Sequence, residues 1–148
     1  MKPAASAHGS TLLVLDTNAV LDWLLFNDSG MVKIVDAIQA GAVRWVATDC
    51  MRDELQRTLS YPTLVRWRPD GPRVLAAFDH WACLLCEPTR ARHGPLMCSD
   101  TDDQVFIDLA VEHGARWLIT HDRALHKLMR PAARVGVAIV RPRDWVQI

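Results

Sequence analysis

Short apolar runs alternate along the chain with longer stretches of helical periodicity, and each run stops at a polar residue. Residues 11–15 end at Asp16, 43–47 lead into Thr48 and Asp49, 116–119 lead into Thr120, and 136–140 precede Arg141. Such brief apolar runs, bounded by turn signals, read as strands buried on both faces. Between them, Val20, Leu21, Leu24 and Leu25 have helical spacing, as do Val32, Ile34, Val35 and Ile38 before Gly41. Thr48 or Asp49 caps a helix that runs to about residue 60, with Pro62 beyond it. Further helices are predicted over 73–82, 100–113 and 123–129, a third strand within 81–87, and a loop over 88–99. Alternating strands and helices predict an α/β domain with a mainly parallel central sheet flanked by helices. In such sheets ligands bind beyond the carboxyl ends of the strands.

The 148 residues fit one domain, here 11–148, preceded by a small, polar and flexible leader over 1–10. Lys plus Arg equal Asp plus Glu at 17 each, which excludes a protein that coats nucleic acid through its overall positive charge. No apolar run is long enough to cross a membrane or to form a signal peptide. Four cysteines in a chain of this length make no disulfide framework, so a reduced, cytoplasmic setting is expected.

Acidic residues stand where the predicted strands end. Asp16 closes the first strand, and Asp122 lies just past the strand that ends near Ile119. Asp103 opens the helix before that strand, and Glu54 lies early in the helix after residues 43–48. Each has an ordinary explanation alone: an Asp at a strand end makes a turn, an Asp at a helix start caps it, and a Glu on a helix faces water. Together, the four carboxylates can project to one edge of the sheet. Two carboxylates about 5 Å apart repel by roughly 3 kcal/mol at an effective dielectric near 20, so such a cluster calls for protons or cations. All-oxygen donors select Mg²⁺ or Mn²⁺.

The motifs resemble those of PIN-domain ribonucleases. Leu15-Asp16-Thr17-Asn18 is similar to the family's first motif, Glu54-Leu55 to its second, Asp100 through Ala110 to its third, and Leu118-Ile119-Thr120-His121-Asp122 to its fourth. The resemblance spans about residues 11 to 146. It implies a PIN-like three-layer domain and a metal-dependent endoribonuclease that hydrolyses RNA phosphodiester bonds. Asp16, Glu54, Asp103 and Asp122 would bind Mg²⁺ or Mn²⁺, with Asn18, Asp102 and Thr120 in support, Asp102 as the alternative to Asp103 for the third acid, and Asp100 as a helix cap. The subgroup it resembles contains toxin components of type II toxin–antitoxin pairs, which implies a cognate antitoxin as partner. The alternative is a catalytically silent PIN-like protein that binds RNA or a partner. A phosphatase with an aspartyl nucleophile is disfavoured because Asn18 stands where its second acid would be. A dinucleotide-binding module is disfavoured because no glycine-rich turn follows the first strand.

Other features have two readings each. Trp67, between Arg66 and Arg68, can stack on an unpaired base or simply cover apolar surface. Arg123 and Lys127 can line a phosphate path or face solvent. His121 is taken as peripheral, because its side chain points away from that of its neighbour in an extended segment. Cys83, Cys86, His93 and Cys98 approach zinc-ligand spacing but sit in an apolar context typical of buried free thiols. Trp23 on the first helix offers a face for a homodimer.

Overall fold

A computed structural model describes residues 11–89 and 96–147. The leader expected over 1–10 and His93 lie outside the described residues. At the centre stands β1 (Thr11–Leu15), whose Leu13, Val14 and Leu15 are all buried. It pairs in parallel with β2 (Val43–Ala47) on one side and with β4 (Trp117–Ile119) on the other. β3 (Cys83–Leu84) extends the sheet beyond β2, and β5 (Ala138–Val140) extends it beyond β4. The order is therefore β3-β2-β1-β4-β5, parallel throughout, with helices in the connections. This is the mainly parallel α/β architecture that the alternating pattern predicts.

The connections explain the site's position. From β1 the chain passes through α1 (Thr17–Leu24) and α2 (Val32–Gln39) to β2. It continues through α3 (Asp49–Leu59), α4 (Pro62–Val65) and α5 (Gly71–Trp81) to β3 at one edge. It then returns through α6 (Gln104–Glu112) to β4, on the opposite side of β1, and passes through α7 (Arg123–His126) and α8 (Met129–Arg134) to β5. The direction of winding thus reverses between β1 and β4. A crevice at the carboxyl ends of two such strands is where parallel sheets of this kind bind ligands.

Several boundaries differ from the sequence reading. The helix expected over 100–113 is a 3₁₀ turn, Thr101–Asp103, followed by α6. The helix expected over 123–129 is two helices, α7 and α8. α4 and α8 each carry a proline in the first turn, where its missing N–H costs no intrahelical bond. The third strand shrinks to two residues. The core gathers around Trp45, which meets Trp23 and Phe78 at ring-centroid distances of 5.5 and 4.9 Å. No helix among the described residues is long and apolar enough to cross a membrane.

Candidate functional site

Asp16 follows β1 and caps α1, accepting a hydrogen bond from the Ala19 N–H at 2.8 Å. Its other carboxylate oxygen accepts from the hydroxyl of Thr120, immediately after β4. The same hydroxyl accepts from the Asp122 N–H at 2.9 Å, and Asp122 caps α7 through the Ala124 N–H at 2.7 Å. Thr120 therefore ties the ends of the two neighbouring central strands. Its carbonyl is in turn 2.7 Å from His126 Nε2 on α7.

Asp103 faces Asp122 from the turn before α6. Carboxylate oxygens of Asp100, Asp103 and Asp122 all lie within 4.8 Å of one another. Asp103 Oδ2 is buried and has no hydrogen-bond partner among the described residues. Burial, followed by the facing Asp122 carboxyl and the charges of Asp100 and Asp16, pushes the Asp103 pKa up to about 8. Burial also raises Asp16 to about 6, against the lowering effect of its bonds from Thr120 and Ala19. Protons are thus held where anions crowd together, the condition that a bound cation relieves. The donors are all hard oxygens, and one of them is unpaired, so the set fits Mg²⁺ or Mn²⁺.

Asp16 is not part of this close group, its two oxygens being held by Ala19 and Thr120, and neither is Glu54. It sits on α3 with its carboxylate 2.9 Å from Arg57 Nη2 and within reach of the Thr58 hydroxyl at 3.4 Å. It lines an adjoining cleft of about 530 Å³ together with Asp102, Gln104 and Asp108. Asn18 is exposed and makes no side-chain hydrogen bond among the described residues, so the support seen at Asp16 comes from Thr120. Asp100 caps the 3₁₀ turn through the Asp102 N–H at 3.0 Å, as expected, and also belongs to the close carboxylate group. Asp102 is exposed on the cleft wall. Arg123 and Lys127 are exposed on and just after α7, and Trp67 lies at the end of α4.

Three features escaped the sequence reading. Asp108 is buried on α6 and accepts from the Gln104 side chain at 3.0 Å; its signal was an acid among apolar residues. Gln104 also holds the backbone of Leu96 and Cys98 at 2.9 and 2.6 Å. Asp22 on α1 lies 3.3 Å from His121 Nε2, which gives that histidine a structural partner. Cys83, Cys86 and Cys98 are free thiols, and among the described residues they form no group of metal-ligand geometry.

A parallel sheet with an acidic cluster at its winding reversal defines an α/β domain with a candidate cation site. The PIN domain family profile matches residues 12–124, so the chain belongs to the PIN domain family. The crystal structure of PAE2754 from Pyrobaculum aerophilum has the same fold: TM-score 0.55 at 15% identity, covering 85% of this chain and 96% of that one. None of the curated proteins matches the sequence significantly. Family membership points to nuclease-type chemistry on RNA, typically with divalent metal.

Proposed function

We propose that the protein is a Mg²⁺- or Mn²⁺-dependent endoribonuclease whose cation is held by Asp16, Asp103 and Asp122, with Asp100 at the rim. The close approach of the Asp100, Asp103 and Asp122 carboxylates at the winding reversal carries this reading. When bound, the cation would neutralise negative charge that develops on the phosphodiester and lower the pKa of attacking water. The chain's own residues prepare that chemistry. Thr120 aims the Asp16 carboxylate and fixes the turn that carries Asp122. Asp103 would give up its proton to hold a bound cation. Arg123 and Lys127 are free to attract the substrate backbone from the exposed side of α7. Glu54 and Asp102 form the acidic wall of the adjoining cleft, with Glu54 available once its bond to Arg57 opens.

We further infer a toxin role in the cytoplasm, with a small antitoxin covering the acidic crevice. A second reading frame beside this one, whose product binds the protein and suppresses cleavage, supports that role; the absence of any such product removes it. The nuclease reading is tested with defined RNA and DNA oligonucleotides in Mg²⁺, Mn²⁺ or EDTA. RNA should be cleaved only with metal, and Asp16→Asn and Asp103→Asn should each lose at least about 100-fold in rate, as removal of a transition-state stabiliser does. Undiminished cleavage by both variants, purified free of host nucleases, would sink the assignment. Ordinary RNA binding without cleavage would favour the catalytically silent alternative.

A further inference from the structure

Away from the acidic cluster, three large side chains that normally seek burial sit together in solvent. Tyr61, Val65 and Trp67 are 46%, 55% and 55% exposed, on α4 and its flanks. The backbone between residues 57 and 68 is hydrogen-bonded turn by turn. Ser60 N–H donates to Arg57, Tyr61 to Thr58, Leu64 and Val65 to Tyr61, Trp67 to Leu64, and Arg68 to Val65. These bonds order the chain across the junction of α3 and α4 into one ridge, with the extended backbone of Tyr61 separating the two helices. Buried Leu59 and Leu64 anchor its underside.

The ridge begins beside the proposed active site, because Arg57 lines the adjoining cleft with Glu54 and Asp102. At its far end Trp67 meets Phe26 edge to face, 5.0 Å between ring centroids at 75°, and the Arg66 guanidinium lies 5.9 Å from its ring centre. Trp67 is thus held in place with more than half its surface in water. Arg68 follows with a φ of 47°, a left-handed conformation uncommon for a residue with a side chain.

We propose that this ridge binds single-stranded nucleic acid, holding nucleotides outside the cleft against the rings of Tyr61 and Trp67, with phosphates at Arg57, Arg66 and Arg68. The proposal rests on the nuclease reading and adds to it a second contact for the same strand. Aromatic rings interleaved with guanidinium groups match the alternation of base and phosphate along an unpaired strand. A chain of zero net charge supplies no general attraction, so local cations must do so. A protein partner fits less well. Three apolar side chains separated by arginines fall far below the roughly 800 Å² that each partner buries in a stable interface.

The test is fluorescence anisotropy of a labelled, unstructured oligoribonucleotide titrated with the full chain in EDTA, so that nothing is cleaved. Tyr61→Ala and Trp67→Ala should each weaken binding about tenfold, in line with the loss of one stacked base, while Trp67→Phe retains it. Arg68→Gln should reduce the dependence of log affinity on log salt by about 0.7. A duplex of the same sequence should be insensitive to both alanine substitutions. Wild-type affinity in the alanine variants, or an equal loss for duplex and single strand, overturns the ridge. Metal-dependent cleavage by the wild-type chain is scored separately. Cleavage with ring-independent binding removes only the ridge; ring-dependent binding without cleavage removes only the nuclease reading; neither binding nor cleavage overturns both.

Discussion

One hydroxyl does much to organise the candidate site. Thr120 donates to Asp16, 104 positions away in sequence, and accepts from the backbone of Asp122. Replacing it with Val, which has nearly the same shape, leaves the Asp122 N–H and one Asp16 oxygen without these partners. A buried polar group left unpaired costs about 1–3 kcal/mol, so Thr120→Val should lower the urea midpoint accordingly, whereas Thr120→Ser should restore it. Because the Thr120 bond pulls the Asp16 pKa down, its loss should also drive Asp16 above its present value of about 6. Carbon-detected NMR titration of the Asp16 carboxyl would show this. An unshifted Asp16 in the Val variant would mean that the hydroxyl does not control that acid. His126, which holds the Thr120 carbonyl, acts on the same turn from the next helix.

Elements differ in how openly their residues announced them. β1, β2 and β4 were legible because they are largely buried, so their sequences are apolar runs broken only by Thr11 at the start of β1 and Arg44 in β2. The strand-end positions of Asp16 and Asp122 followed directly. α4 and α8 were not legible, because Pro62 and Pro131 read as stops although each falls in a first turn, where proline is tolerated. β3 is too short for any periodicity. In the site, the position of Asp103 could be argued from its helix start, but the pairing of Glu54 with Arg57 could not. Helical spacing permits that pair without requiring it, and only the packed structure shows where the carboxylate rests. Asp100 was legible as a cap but not as a neighbour of Asp122, since that depends on how the turn before α6 meets β4. Glycine signals were more direct: Gly114 ends α6 with a φ of 65°. Gly114→Ala should cost about 1 kcal/mol, read from chemical denaturation, because an L-residue is strained there even though a Cβ has room. Trp45 ties β2 to α1 and α5 through its rings, so Trp45→Ala should cost about 3–5 kcal/mol by leaving a large void between these elements. A loss below about 1 kcal/mol would show that the core collapses around the site.

For the molecule as a whole, the crowded carboxyls make folding depend on pH and on cations. In the folded, metal-free chain Asp16 keeps its proton up to about pH 6 and Asp103 up to about pH 8, whereas unfolded aspartates lose theirs near pH 4. Between these limits the native state binds more protons than the unfolded chain, so stability falls as pH rises. Below about pH 4 both states are protonated and the cost disappears; above about pH 8 it is complete. The Asp16 contribution is on the order of 3 kcal/mol, while that of Asp103 is reduced by its partial exposure to water. Thermal melts in EDTA should therefore show a midpoint that declines from pH 5 to pH 8. Asp103→Asn should flatten the decline between pH 6 and pH 8, because it removes the group that titrates there. A cation at the same oxygens competes with these protons. Mn²⁺ should accordingly raise the midpoint more at pH 8 than at pH 5, with a stabilisation of about 2.7 kcal/mol at 100 times its dissociation constant. The Asp103→Asn chain should lose most of that gain. If Mn²⁺ instead stabilised both chains equally at both pH values, the cation would be binding elsewhere, and the raised proton affinity of Asp16 and Asp103 would reflect burial alone.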